Sequence, residues 1–225
     1  MIGADAEIHP VPLPGRGPRR DDPPESNFEK LCDRVFSEIR SPAHEPFYCM
    51  GSSMGGWMAY EIALRFEHIG VLPSGLIMLS SPMPNARQQL PELDNPETGV
   101  ADIIGINPIF EEVMQYPELL ELILPSMQAD FRMCNAYEPS AGNMVNIPIL
   151  GLAGIDDPLV TPDATLGWEA LTTAVFDLTV VSGAHDLHER PTAAMVDRVS
   201  SFLAAPHGSM VERDVCSWHH QATAE

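Results

Sequence analysis

Lysine is almost absent. The 225-residue chain has one, Lys30, and with Arg it counts 12 cations against 32 Asp and Glu, a formal net charge of −20. Binding to nucleic-acid phosphates needs clustered cations that displace counterions, so nucleic acid is not an expected partner. Long apolar runs are missing too: none approaches the ~18 residues of a membrane span. The start, Met1-Ile2-Gly3-Ala4-Asp5-Ala6-Glu7, has neither the basic nor the apolar stretch of a secretion signal, so a cytoplasmic location is expected. Cysteine is scarce. Cys32, Cys49, Cys134 and Cys216 stand 17, 85 and 82 residues apart, matching neither a zinc ribbon nor a redox CxxC, and read as small buried hydrophobes. Cys216 with His219 and His220 lacks a second pair of ligands, so no metal is expected there. Gly15-x-Gly17 has no third glycine, which argues against a dinucleotide site.

What is present is a chain 44% hydrophobic, enough to bury a core. The expected organisation is one domain over 1–205 and a flexible tail over 206–225. Residues 6–12 read as an edge strand because of Pro10 and Pro12. Ser26 and Glu29 read as a capping box opening a helix with Phe28, Leu31, Cys32, Val35, Phe36 and Ile39 at helical spacing. A short apolar strand spans 46–50, a tight turn 51–55, and an almost wholly apolar helix 53–68. Buried strands are expected at 75–80, 147–154 and 175–181, with helices at about 163–173 and 190–204. Alternating buried strands and helices predict an α/β fold: a mostly parallel sheet with helices on both faces. The Pro-punctuated stretch 82–146 breaks the alternation and reads as a helical insertion. Its apolar residues, among them Ile103, Ile104, Ile109 and Phe110, suit either a lid lining an apolar pocket or a helical pair packed on the sheet.

The chemistry concentrates at Met50-Gly51-Ser52-Ser53-Met54-Gly55-Gly56. Gly51-x-Ser53-x-Gly55 between an apolar strand and an apolar helix has the context of a nucleophile elbow. The turn is strained and its backbones nearly touch, so a Cβ on either glycine is expected to clash. Such a turn raises the Ser53 hydroxyl above the strand end. It also puts the Met54 backbone N–H at a helix start, where it can stabilise an oxyanion. A serine nucleophile needs a base, and the base an orienting acid. Gly154-Ile155-Asp156-Asp157-Pro158 and Ser182-Gly183-Ala184-His185 each follow a buried strand, in the chain order of hydrolases with such an elbow. Asp156 competes with Asp157, and the Gly-x-x-Asp spacing favours Asp157. His188 competes with His185, which lies closer to its strand end. Met50, Met54 and Met58 read as core.

With these residues in place, the sequence resembles the type II (editing) thioesterases of polyketide and nonribosomal peptide assembly lines and the related medium-chain fatty-acyl thioesterases. The matching pieces are Leu13-Pro14-Gly15-Arg16-Gly17-Pro18-Arg19, the Gly51–Gly55 elbow, Ala129-Asp130-Phe131-Arg132 with Tyr137, Gly154 to Val160, Trp168 with Thr172, and Gly183-Ala184-His185. Together they cover about residues 7 to 204. The resemblance implies an α/β-hydrolase fold and hydrolysis of acyl thioesters held on the phosphopantetheine of acyl carrier or peptidyl carrier protein domains. It implies no cofactor of the enzyme's own. By position it assigns Ser53 as nucleophile, His185 as base and Asp157 as acid.

Departures stand beside the match. Ser52 occupies the place where the family usually has His, and Asp186-Leu187-His188 follows the matched histidine where aromatic and apolar residues are usual. The family also begins with a strand, a Gly-rich loop and a helix not found here. That loop supplies a second oxyanion donor, whose loss is expected to cost on the order of 10²–10³ in rate. It would also leave the 6–12 and 46–50 strands without their shared neighbour unless the first moves inward. Arg16, Arg19 and Arg20 suit either a pantetheine phosphate or pairing with Asp21, Asp22 and Glu25, the latter preferred. The leading expectation is therefore a serine thioesterase. A carboxylesterase of the same fold and a catalytically impaired binding protein are the alternatives.

Overall fold

Four parallel strands form the sheet of this computed structural model, which describes residues 6–39, 45–91, 93, 113, 115–139 and 142–205. They are β1 (Tyr48–Ser52), β2 (Gly75–Leu79), β3 (Ile149–Gly154) and β4 (Phe176–Val181), in spatial order β1-β2-β3-β4. Met50 pairs with Ile77, Ile77 with Leu150, and Leu150 with Asp177. Every residue of β2 and β3 is buried, as continuous apolar strands are when both sheet faces are covered.

The side-chain alternation of the strands divides the core in two. Leu76, Met78 and Ile149 join one cluster with α1 (Phe28–Glu38) and α2 (Met54–His68), through Leu31, Trp57, Tyr60 and Phe66. Ile77, Leu79, Leu150 and Leu152 join the other with α5 (Ala193–Ala204), through Met195, Val199 and Phe202. Helices thus cover both faces. A long helix, α3 (Pro117–Ala136), lies between β2 and β3 in the chain, and a short one, α4 (Pro162–Leu166), between β3 and β4.

One buried charge ties three helices together. Glu61 is 6% exposed. It accepts from Arg65 at 2.6 Å and from the Tyr137 hydroxyl at 2.9 Å, while Arg65 also reaches Glu29 at 3.0 Å and Asp33 at 2.9 Å on α1. Burial pushes the Tyr137 hydroxyl up, and the Glu61 charge adds to it, so Tyr137 stays a donor. A buried carboxylate is tolerated only with such partners.

Several expected elements differ. Residues 6–12 form no strand: Ile8 and Val11 are exposed, and Pro10 and Pro12 remove two donors that pairing needs. The first helix is capped by Asn27, whose side chain accepts from Lys30 N–H at 2.9 Å. The Glu25 carboxylate accepts from the N–H groups of Ser26 and Asn27, so the Ser26–Glu29 box is replaced. β1 runs on to Ser52, so the turn tightens only at Ser53. The 163–173 helix ends at Leu166 and continues as a 3-10 turn, Gly167–Leu171. α5 starts at Ala193 behind the Thr192 cap rather than at 190. Met58 is core as expected and Met54 packs against it, but Met50 is 42% exposed on β1.

Of the stretch 82–146, the described part includes α3 and a 3-10 turn at Pro84–Ala86. Ile103, Ile104, Ile109 and Phe110 lie outside the described residues, as do Cys216, His219, His220 and the rest of 206–225. Among the described residues no helix is long and apolar enough to cross a membrane, and no group of three His, Cys, Asp or Glu is placed to hold a metal.

Candidate active site

Ser53 sits between β1 and α2 with φ 53° and ψ −122°. A non-glycine residue there carries strain of about 1–3 kcal/mol, held only when its surroundings leave no alternative. Those surroundings are visible. Ser53 N–H donates to Leu79 carbonyl at 2.9 Å, and the Ser81 hydroxyl donates to the Ser53 carbonyl at 2.9 Å. A Cβ on Gly51 would lie 1.9 Å from the Gly55 carbonyl oxygen. The expected clash at Gly55 is absent, since a Cβ there meets nothing within 4 Å; the crowded helical position is Gly56, 2.4 Å from Ser81 Oγ. Met54 opens α2, so its N–H is among the helix-start donors that have no intrahelical acceptor.

Asp157 and His185 come together. Asp157 is buried on the turn after β3, and His185 lies on the turn after β4. His185 Nδ1 is 2.9 Å from Asp157 Oδ2 and 3.2 Å from Oδ1. Oδ1 also accepts from the N–H groups of Leu159 at 2.9 Å and Val160 at 3.0 Å. The acceptor at Nδ1 places the ring proton there and leaves the Nε2 lone pair for another partner. Burial pushes the Asp157 pKa up. The His185 hydrogen bond and charge, with the two backbone donors, more than offset it, and the net direction is down. The backbones beneath are tight: a Cβ on Gly154 would sit 2.4 Å from the Gly183 carbonyl oxygen. Asp156 is exposed and contributes its N–H to Gly183 carbonyl at 3.0 Å. His188 points instead to Ser52, Nδ1 to Oγ 3.2 Å.

A group whose pKa falls on folding lends stability above its unfolded value, near 4, and loses it as pH drops through the folded value. Asp157→Asn should therefore melt below the wild type at neutral pH. The gap should narrow as pH falls below about 4, read by thermal melts at a series of pH values. A constant gap would contradict an Asp157 carboxylate stabilised in its ionised form by these donors.

Ser53 and His185 line one cleft of about 40 Å³, with Trp57, Pro82, Arg87 and Cys134 among its walls. That volume holds a reacting carbonyl or a few waters, and is well below the ~300–1,000 Å³ of sites for larger ligands. Arg87 was not singled out in the sequence. Its guanidinium lies 5.8 Å from the Trp57 ring centroid and donates to Asn135 carbonyl at 2.7 Å. A lone Arg in a Pro-rich stretch carries no motif. Cys134 also escaped notice as a wall residue; burial pushes its thiol up to about 12, so it is no rival nucleophile at neutral pH. A larger cavity, about 430 Å³, lies between the Gly15–Arg20 turn and α3 and is lined by Arg16, Arg20, Leu122 and Met127. Arg16 is held by Asp130 in a bidentate pair at 2.6 and 2.7 Å. Arg19 is held by Asp22 at 2.8 Å and Glu38 at 2.7 Å. Arg20 approaches Asp21 at 3.8 Å in the open. Pairing, not a free cationic cluster, is the state of these residues; Asp21 and Asp22 are partners as expected, Asp130 and Glu38 join them, and the Glu25 carboxylate is taken by the N–H groups of Ser26 and Asn27 instead.

Comparison with known proteins identifies the family. The family model described as a thioesterase domain matches residues 2–202. The AMB antimetabolite synthetase AmbE of Pseudomonas aeruginosa is 30% identical over 194 residues, which are 83% of this chain and 9% of that protein. The gramicidin S biosynthesis protein GrsT of Aneurinibacillus migulanus is 27% identical over 185 residues, 80% of this chain and 72% of GrsT. The type II thioesterase BorB of the borrelidin biosynthetic cluster superposes with a TM-score of 0.71 at 29% identity, over 85% of this chain and 76% of BorB. The sheet and its two helical layers are accordingly those of the α/β-hydrolase thioesterases, and this chain belongs to the thioesterase domain family.

Proposed function

We propose that the chain hydrolyses acyl thioesters carried on the phosphopantetheine arm of acyl carrier or peptidyl carrier protein domains, by a Ser53–His185–Asp157 relay. The observation that carries this reading is the buried Asp157 carboxylate bonded to His185 Nδ1 at 2.9 Å, with His185 sharing a cleft with the strained Ser53. His185 Nε2 takes the Ser53 proton as Oγ attacks the thioester carbon. The C–S bond breaks, the proton passes to the departing pantetheine sulfur, and the acyl group stays on Oγ. Water, deprotonated by His185, then attacks the acyl carbon, the C–Oγ bond breaks, and His185 returns the proton to Ser53 Oγ as the acid leaves. Asp157 holds the imidazole in the required tautomer and stabilises its charged form. The Met54 N–H stabilises the oxyanion at each addition step.

The cleft shared by Ser53 and His185 has room for the reacting carbonyl. Part of its wall, from Pro82 to Leu90 and Cys134, comes from the 82–146 stretch, which is the reason to read that stretch as a lid. The net charge of −20 opposes an acidic carrier, so docking depends on a local patch. A carboxylesterase of the same fold is separated by substrate. A propionyl-pantetheine thioester should turn over with kcat/KM at least about tenfold above the matched oxygen ester, a difference of ~1.4 kcal/mol in transition-state binding. A preference for the oxygen ester would favour the carboxylesterase.

A further inference from the structure

Two departures from the family pattern, far apart in sequence, meet in space. Ser52 stands immediately before Ser53 at the end of β1, and His188 stands three residues after His185 on the turn that follows β4. Ser52 Oγ lies 3.2 Å from His188 Nδ1 across 136 residues of chain. From these contacts we infer that Ser52 and His188 act as one unit, a clasp that sets the distance between the nucleophile and its base. This inference rests on the relay proposed above and adds two positioning residues to it.

The local build shows why a clasp matters. The turn carrying His185 is tied towards β3 by Asp156 N–H to Gly183 carbonyl, 3.0 Å, and by the His185–Asp157 bond itself. Its centre is anchored by Leu187, 1% exposed in the core beside α5. Those ties fix His185 relative to Asp157 and the core. The clasp adds a direct bond to β1, the strand that delivers Ser53. Ser52 adjoins Ser53 and His188 shares one turn with His185, so a shift of 188 against 52 changes the approach of His185 to Ser53. A 1 Å misplacement in such a pair can cost on the order of 10²-fold. Neither clasp residue lines the cleft itself. His188 is half exposed and Ser52 is partly covered, so the bond contributes little to global stability and its effect falls on geometry. The imidazole serves whichever way the proton lies, because Ser52 Oγ both donates and accepts.

The test is a double-mutant cycle, Ser52→Ala, His188→Ala and both together, with His188→Asn as the conservative variant. An Asn amide places a polar atom where Nδ1 was. Two readouts are taken: the rate of fluorophosphonate labelling of Ser53, which needs the relay but no thioester or carrier, and kcat with KM for propionyl-pantetheine. Each single Ala variant should lose about tenfold in labelling rate and in kcat, with KM within about twofold. The double variant should lose no more than the weaker single one. His188→Asn should recover most of the loss, and melting temperatures should stay near wild type. Losses that multiply in the double variant, a change in KM with kcat kept, or wild-type rates throughout would overturn the clasp. So would a failure of His188→Asn to recover activity while folded. If these variants behave as wild type while Ser53→Ala abolishes labelling and turnover, the clasp alone falls. If Ser53→Ala keeps wild-type turnover, the relay falls with it.

Discussion

His185→Ala should lower acyl-thioester turnover by about 10⁴–10⁶-fold. The serine hydroxyl is a weak nucleophile at neutral pH, and in the proposed relay its proton passes to the imidazole that Asp157 orients. The fold should survive. The Asp157 carboxylate loses one partner but keeps the N–H groups of Leu159 and Val160, so the stability cost is about 1–3 kcal/mol, that of a buried acceptor only partly satisfied. Steady-state hydrolysis of propionyl-pantetheine alongside a circular-dichroism melt checks both halves. A folded variant within tenfold of wild-type turnover would remove His185 from the relay.

Gly51→Ala carries the largest expected structural effect. Its Cβ would lie 1.9 Å from the Gly55 carbonyl oxygen and 2.1 Å from the Gly55 carbonyl carbon. Both are main-chain atoms, so no side chain can swing aside. Relief requires β1 and the start of α2 to separate, which breaks the geometry that holds Ser53 in its left-handed conformation. The cost should reach at least about 3 kcal/mol, lowering the melting temperature by roughly 6–12 °C for a domain of this size, and labelling of Ser53 should disappear. Gly55→Ala makes the informative control. A Cβ there finds open space and its helical backbone accepts alanine, so this variant should melt near wild type or slightly above. Equal loss from both would show that the crowding at Gly51 is not what shapes the turn.

The strands and the elbow were legible because their signals are local and strong. β2 and β3 are unbroken apolar runs, and the elbow joins one such run to an apolar helix. The meeting of Asp157 with His185 was legible through the order of strand ends. Other features were not legible, each for a stated physical reason. The Arg16–Asp130 pair spans 114 residues, and no spacing rule reaches that far. Several residues that carried the family resemblance prove to hold the frame: Trp168 Nε1–H donates to Ser81 carbonyl at 3.0 Å, Thr172 Oγ1–H to Ile147 carbonyl at 2.7 Å, and Tyr137 to Glu61. At the first helix a neighbouring asparagine outcompeted Ser26 for the cap, and both types suit that position. Residues 6–12 alternate like a strand, but Pro10 and Pro12 cannot supply ladder donors and no described strand lies beside them. The Ser52–His188 contact was foreshadowed only as two unrelated departures; their proximity is a property of the fold.

The most direct measurement is mass spectrometry of the chain after treatment with a fluorophosphonate, followed by proteolysis and sequencing of the modified peptide. One adduct per chain on Ser53, absent in Ser53→Ala and strongly slowed in His185→Ala, is the expected result. An adduct on another residue, Ser52 included, or an unmodified Ser53 in folded wild-type protein would contradict a nucleophilic centre at the end of β1.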